Sequence, residues 1–254
     1  SLGGGVYLNA ATATLINCIV DHNRVVDDLL PADQLAGGGL MVNGIAPLQV
    51  WHSVFWNNEA PNAANFAVIN GIATPTNKII RNSILWHHSA PGLFVSNATA
   101  PSVQFSVVRG GFAGSGNLNT DPLLAAPGNG DFTPRVGSPV IDAGTGQGRP
   151  AGAEVDYFIE PRPLRGGPDI GAVELPEIFY VDNSVPRTNP NGRSWGSAFN
   201  TIQAAIDAAH NADGGEVWIA RGVYAEDRSA ASPVTGALRM RPGVRVYGEF
   251  AGYE

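Results

Sequence analysis

Along residues 1–116 the apolar positions come in short runs, and none recurs at helical spacing. Val6-Tyr7-Leu8, Leu40-Met41-Val42 and Ile84-Leu85-Trp86 are examples, rich in β-branched and aromatic residues and bounded by Gly, Asn or Pro. Such runs predict short strands separated by turns. They also repeat. Gly3-Gly4-Gly5-Val6-Tyr7-Leu8-Asn9 returns as Gly37-Gly38-Gly39-Leu40-Met41-Val42-Asn43, with weaker echoes at Phe66–Gly71 and Gly92–Asn97. The aligned residues Asn9, Asn43, Asn70 and Asn97 lie 34, 27 and 27 apart.

A second motif interleaves with the first. It runs from Asn17 to Asn23, from His52 to Asn58 and from Asn82 to His88, and fades between Phe105 and Gly111. Two ladders in constant order with variable spacing mean one structural unit per turn, with insertions at a corner; 27–36 is one such insertion. Asn43-Gly44 and Asn70-Gly71 fall at the same phase. A solenoid of stacked parallel coils explains that phase and a meander does not.

Side-chain direction alternates along a strand. Three stacked rows are therefore expected inside: Leu15, Val50, Ile80, Val103; Cys18, Ser53, Ser83, Ser106; and Val20, Phe55, Leu85, Val108. The outward rows are Ile19, Val54, Ile84, Val107 and Asp21, Trp56, Trp86, Arg109, with Trp51 assigned to the same face. Asparagine recurs at the turns because it tolerates the left-handed conformation.

Beyond residue 116 the chain changes character. Residues 117–177, dense in Gly and Pro, are expected to form an irregular end-piece over the last coil. Residues 178–254 form a third segment. Its expected strands are 178–182, 216–220, 222–225 and 244–250, and its one amphipathic helix covers 199–211, capped by Ser197.

These motifs support a resemblance. Residues 1–116 resemble the coils of right-handed parallel β-helix proteins of the pectin-lyase-like superfamily. Their Gly-Gly-Gly and Asn-Cys-Ile patterns resemble polymorphic-outer-membrane-protein-like repeats of bacterial surface proteins. Ser138-Pro139-Val140-Ile141-Asp142-Ala143-Gly144 and Asp169-Ile170-Gly171-Ala172-Val173-Glu174 resemble the end-piece of the choice-of-anchor Q family. Tyr180-Val181-Asp182, Ile202-Gln203-Ala204-Ala205-Ile206 and Val217-Trp218-Ile219-Ala220-Arg221-Gly222-Val223-Tyr224 resemble the cap that starts those proteins. The resemblance implies an all-β, right-handed parallel β-helix with one capping helix, extracellular or on a bacterial cell surface, in a family mostly without known catalysis. The order departs from it: here the coils come first and the cap last.

Composition narrows the chemistry. A net charge of -7 argues against a nucleic-acid partner, and Lys78 is the only lysine. No apolar run is long enough for a membrane span. The single Cys18 excludes an intrachain disulfide and reads as a small core residue. The chain opens on Ser1, which suggests a processed product or a fragment. The outward rows hold one acid, Asp21, and no carboxylate pair, so no catalytic residue is assigned. His22, His52, His87 and His88 could suggest a metal site, but His52 aligns with Asn17 and Asn82, and His88 with Asn23 and Asn58, so a polar corner residue is the simpler reading and no metal is assigned to them. Asp142, Asp156, Asp169 and Glu174 are the set that calcium would take. The competing reading is that they serve backbone N–H groups or pair with Arg162 and Arg165; no cofactor is expected. Asn97-Ala98-Thr99 is a glycosylation triplet of the kind expected by chance.

Two functions remain. One is a non-catalytic module that assembles head to tail with copies of itself, or with neighbouring repeats of a longer parent, into a filament or array. The other is a carbohydrate-binding or polysaccharide-degrading β-helix, a lyase or hydrolase. The expected interfaces are the apolar outward stripe (Trp51, Val54, Trp56, Ile84, Trp86, Val107), which either meets a partner or is covered by residues 117–174 folding back, and the two ends (Leu2, Val6 and Val244, Val246, Phe250), which meet between chains or within one.

Overall fold

A computed structural model describes residues 4–25, 37–61, 65–71, 77–164, 166–184, 186–212, 214–226 and 237–252. Leu2, the 27–36 insertion and Arg165 lie outside them. The chain forms two compact units, Ser1–Leu175 and Pro176–Glu254.

In the first unit the chain cycles four times through three strands. The first cycle is β1 (Val6–Asn9), β2 (Ala13–Ile16), β3 (Ile19–Asp21); the second is β4 (Leu40–Asn43), β5 (Leu48–Trp51), β6 (Val54–Trp56). The third is β7 (Phe66–Ile69), β8 (Lys78–Arg81), β9 (Ile84–Trp86); the fourth is β10 (Leu93–Ser96), β11 (Ser102–Gln104), β12 (Val107–Val108). Each strand pairs in parallel with its counterpart one cycle away, giving the sheets β1-β4-β7-β10, β2-β5-β8-β11 and β3-β6-β9-β12. Stacked parallel sheets of this kind are compatible with an all-β parallel solenoid.

The inward rows are as expected. Val50, Ile80, Val103, Phe55, Leu85 and Val108 share one buried core, with Leu15 and Val20 packed against it. The small-residue row is a hydrogen-bonded ladder. The Cys18, Ser53 and Ser83 amides donate to the Ser53, Ser83 and Ser106 hydroxyls of the next coil. Each serine hydroxyl in turn donates to the carbonyl two residues before it. Ladder and corner share a cause: Asn17, His52, Asn82 and Phe105, all at positive φ, turn the chain just before it.

The two interleaved motifs explain each other. A Cβ at Gly39 would lie 2.8 Å from Asn58 Nδ2, and one at Gly5 would lie 3.1 Å from Asn23 Nδ2. The glycines of the first motif thus leave room for the asparagines of the second. One register differs from expectation: Asn43 pairs with Ile69, not Asn70. Asn70 and Asn97 are turn residues at positive φ, like Ala10 and Gly44.

Residues 117–175 do more than cover the last coil. A parallel bridge joins Leu118 to Val107, and then comes an antiparallel hairpin, β13 (Leu124–Ala126) and β14 (Asp131–Pro134). From there the segment runs back along the outward faces of the coils. It reaches the first cycle, where Asn17 Nδ2 donates to Val155 O at 2.7 Å.

The second unit holds β15 (Ile178–Val181), α1 (Ile202–Asn211), β16 (Gly215–Ala220) and β17 (Val244–Phe250), and its three strands form one parallel sheet, ordered β15-β16-β17. The expected stripe Ile202, Ala205, Ile206, Ala209 is buried against Phe179, Val181 and Val217. The helix starts three residues later than expected. Thr201, not Ser197, is the cap, its side chain accepting from Ala204 N. The Glu226 carboxylate takes the Ile202 and Gln203 amides, satisfying two more free donors of the first turn. Residues 222–225 form no strand: Val223 is 88% exposed and Tyr224 hydrogen-bonds back to Ala220 O.

Candidate functional site: a sealed flank and two open strand edges

The outward stripe is a buried interface within the first unit. Val54, Ile84 and Val107 are at most 1% exposed, Trp56 9% and Trp86 6%. They form a second core with Leu124, Phe132, Val140, Ile170, Ala172 and Val173 of the end-piece. Phe132 meets Trp56 edge-on at 6.2 Å, and the Arg109 guanidinium lies 5.0 Å over Trp86. Gly171 sits where a Cβ would come within 2.9 Å of Ile84 Cδ1, so the backbone itself lies against the sheet. These five residues are therefore not a free interface for a partner.

Trp51 does not belong to that face. His52, at φ 46°, turns the chain between β5 and β6, so period-two counting fails across the corner. Trp51 instead pairs with Ile16 and Arg81 in the neighbouring sheet, 2% exposed, with the Arg81 guanidinium 5.4 Å from its ring centre.

A polar centre fastens the end-piece down. Arg162, 3% exposed, donates through Nη1 to Glu174 Oε1 at 2.6 Å and through Nη2 to Ala172 O at 3.0 Å. His52 of the coils lies 2.8 Å from Arg162 Nη1 and 2.9 Å from Asn82 Nδ2. The carboxylates are spent on main-chain donors. Asp156 accepts from the Phe158, Glu160 and Glu174 amides, Asp169 from Asp142 and Leu175, and Glu174 from Leu164 and Asp169. Burial pushes Glu174 up to about 7, against the pull of Arg162. It pushes Asp169 up to about 6, against the amides it accepts. Burial, aided by Arg162, holds His52 down to about 2, so the imidazole is neutral. These are contacts of the kind that the backbone-and-Arg162 reading of the four carboxylates expects. Among the described residues no three His, Cys, Asp or Glu side chains are grouped to hold a metal.

Of the other histidines, His22, His87 and His88 lie outside strands at the corners of the coils, and His210 lies in the last turn of α1. His22 has a positive φ. His87 and His88 stack 4.5 Å apart beside a cleft of about 370 Å³ lined also by Arg24, Val25, Glu59 and Pro61. His87 Nδ1 accepts from the Ser89 and Ala90 amides, which places its proton on Nε2 and removes that nitrogen as a metal ligand. Cys18 is half-buried, and burial raises its thiol pKa. Asn97 occupies a turn position.

The ends differ from the flank. Val6, Leu8, Ala13, Leu15 and Val20 of the first cycle pack on the core but stay half-exposed; their counterparts Leu40, Val42, Leu48, Val50 and Phe55 are at most 2% exposed. Among the described residues β1, β2 and β3 have a strand neighbour on one side only, and so has β17. Val244 and Val246 are half-buried on the helix side of their sheet. Phe250 stacks on Trp218 at 4.5 Å, and Tyr247 is 43% exposed. Sequence reasoning missed the Arg162–His52 centre, whose members lie 110 residues apart.

No family model matches this chain, and neither a curated protein nor a solved structure matches it.

Proposed function

We propose that the chain is a non-catalytic structural module of a secreted or surface-displayed bacterial β-helix protein. It joins end to end with further modules in a filament or tandem array. The coils are read as a right-handed parallel β-helix of the pectin-lyase-like kind, since parallel crossovers are right-handed in nearly all known cases. The end-piece and C-terminal unit are read as the choice-of-anchor Q pieces.

One observation carries this reading. Among the described residues β1–β3 and β17 each present an unpaired edge beside half-exposed valines and leucines, while the apolar flank is covered. Sheet-terminal β10 and β15 also have one strand neighbour. An open parallel edge is a template for another strand. A contact between two different ends is heterologous and propagates unless it closes into a ring. A carbohydrate-binding flank would need exposed aromatic rings, and Trp56 and Trp86 are 9% and 6% exposed. Sedimentation of the chain over a wide concentration range tests the proposal. Mass that grows with concentration, and stops growing when residues 178–254 are deleted, supports it; a monomer throughout counts against it.

A further inference from the structure

Among the described residues, the open edges of β1 and β17 match each other in hydrogen-bond polarity and in side-chain phase, which assigns a register to the joint. This joint rests on the end-to-end reading proposed above.

Polarity comes first. In the coils the amides of inward residues donate to the later cycle: Val6 N to Gly39 O and Leu40 N to Asn65 O. Amides of outward residues donate to the earlier cycle: Val54 N to Cys18 O and Ile84 N to Ser53 O. The second unit follows the same rule. Gly215, in phase with inward Val217, donates to Gly243 O of the later strand, and outward Glu216 donates to Glu177 O of the earlier one. The amides of Val246 and Gly248 therefore face the free edge of β17 and seek a later strand. Those of Tyr7 and Asn9 face the free edge of β1 and seek an earlier one. An edge of each kind is what one parallel ladder needs.

Phase then restricts the register. A shift by one residue would turn Val6 and Leu8 outward, so only even shifts survive. The register also slips between Trp218 and Ala220, opposite Tyr247 and Phe250, which spoils the far end of β17 for regular pairing. We infer that β17 of one copy pairs in parallel with β1 of a second copy in the register Val244–Val6, Arg245–Tyr7, Val246–Leu8 and Tyr247–Asn9. Tyr7 N then donates to Val244 O, Asn9 N to Val246 O, Val246 N to Tyr7 O and Gly248 N to Asn9 O. Inside, Val244 and Val246 cover Val6 and Leu8, the residues the first cycle leaves half-exposed. Outside, Tyr247 lies beside Asn9.

Cysteine pairing tests the register. In a Cys18→Ser background, where serine continues its own ladder, Asn9→Cys with Tyr247→Cys is oxidised beside Tyr7→Cys with Tyr247→Cys. All three sites are exposed, so both proteins should fold. The expected result is a ladder of disulfide-linked multimers for the first pair, several-fold above the second. Assembly with the second pair dominant overturns the register while leaving end-to-end joining intact. Cross-linking confined to single chains overturns the second copy as partner. Absence of both assembly and cross-link removes the function reading as well.

Discussion

Two apolar surfaces of this molecule meet different fates. The outward faces of β6, β9 and β12 are sealed by residues 118–173 of the same chain, while the edges of β1 and β17 stay open among the described residues. Both surfaces break the habit of a polar solvent side. An apolar row therefore says that a surface is to be covered, but not by what. The cover of the flank also needs a lock: Arg162 and Glu174 are buried beneath it, paired with each other and with main chain, while the buried Arg162 Nε has no hydrogen-bond partner among the described residues.

The comparison can be broken most forcefully on β6. Val54 and Phe55 point to opposite sides and are both wholly buried. Val54→Asp should destabilise the first unit about as much as Phe55→Asp, each by several kcal/mol, roughly 3 or more, since a buried unpaired charge has no compensation. Urea unfolding followed by circular dichroism measures both. A Val54→Asp protein of near-native stability would mean that the flank is open.

The lock comes next. Arg162→Ala leaves Glu174 and Asp169 buried without their cation, at a cost of about 3–5 kcal/mol. If the end-piece lifts, Trp56 and Trp86 become wet and tryptophan emission shifts to the red. Unchanged emission and stability would deny the lock its role.

Smaller effects follow from proton binding. Glu174 and Asp169 hold protons more tightly when folded, up to about 7 and about 6. Their contribution is fully present below the unfolded carboxylate values and is lost as pH rises through about 7. His52, held down to about 2, works the other way: its contribution is present above about 6.5 and is lost as pH falls. Between about 4.5 and 6 two carboxylates oppose one imidazole. Within this centre the net single proton makes stability fall by about 1.4 kcal/mol per pH unit as pH rises, a slope that His87, also held down by burial, offsets in part. Glu174→Gln should flatten that slope in a pH series of urea midpoints. A wild-type slope of opposite sign would contradict these assignments.

The coils were legible because every cycle repeats three strand runs and a corner residue, and alternation fixes which side chains go inside. Legibility ended where periodicity did. Trp51 was misplaced because a left-handed corner at His52 resets the count. Asn70 was set one position early because an asparagine ends a strand in one coil and makes the turn in another. The path of the end-piece rests on contacts such as Asn17 to Val155 and His52 to Arg162, which no local spacing encodes. The start of α1 depended on Glu226, which returns from beyond β16 to take two amides.

The most direct test of the open edges is one substitution that removes a donor from the free side of β17. Val246→Pro deletes an amide that faces away from β16, so the second unit should lose about 1 kcal/mol or less, as for proline on an edge strand. Sedimentation velocity would compare it with the unaltered chain over the same concentrations. The account predicts that the unaltered chain grows in mass with concentration while Val246→Pro stays monomeric with an unchanged circular dichroism spectrum. A Val246→Pro chain that assembles as well as its parent would contradict it.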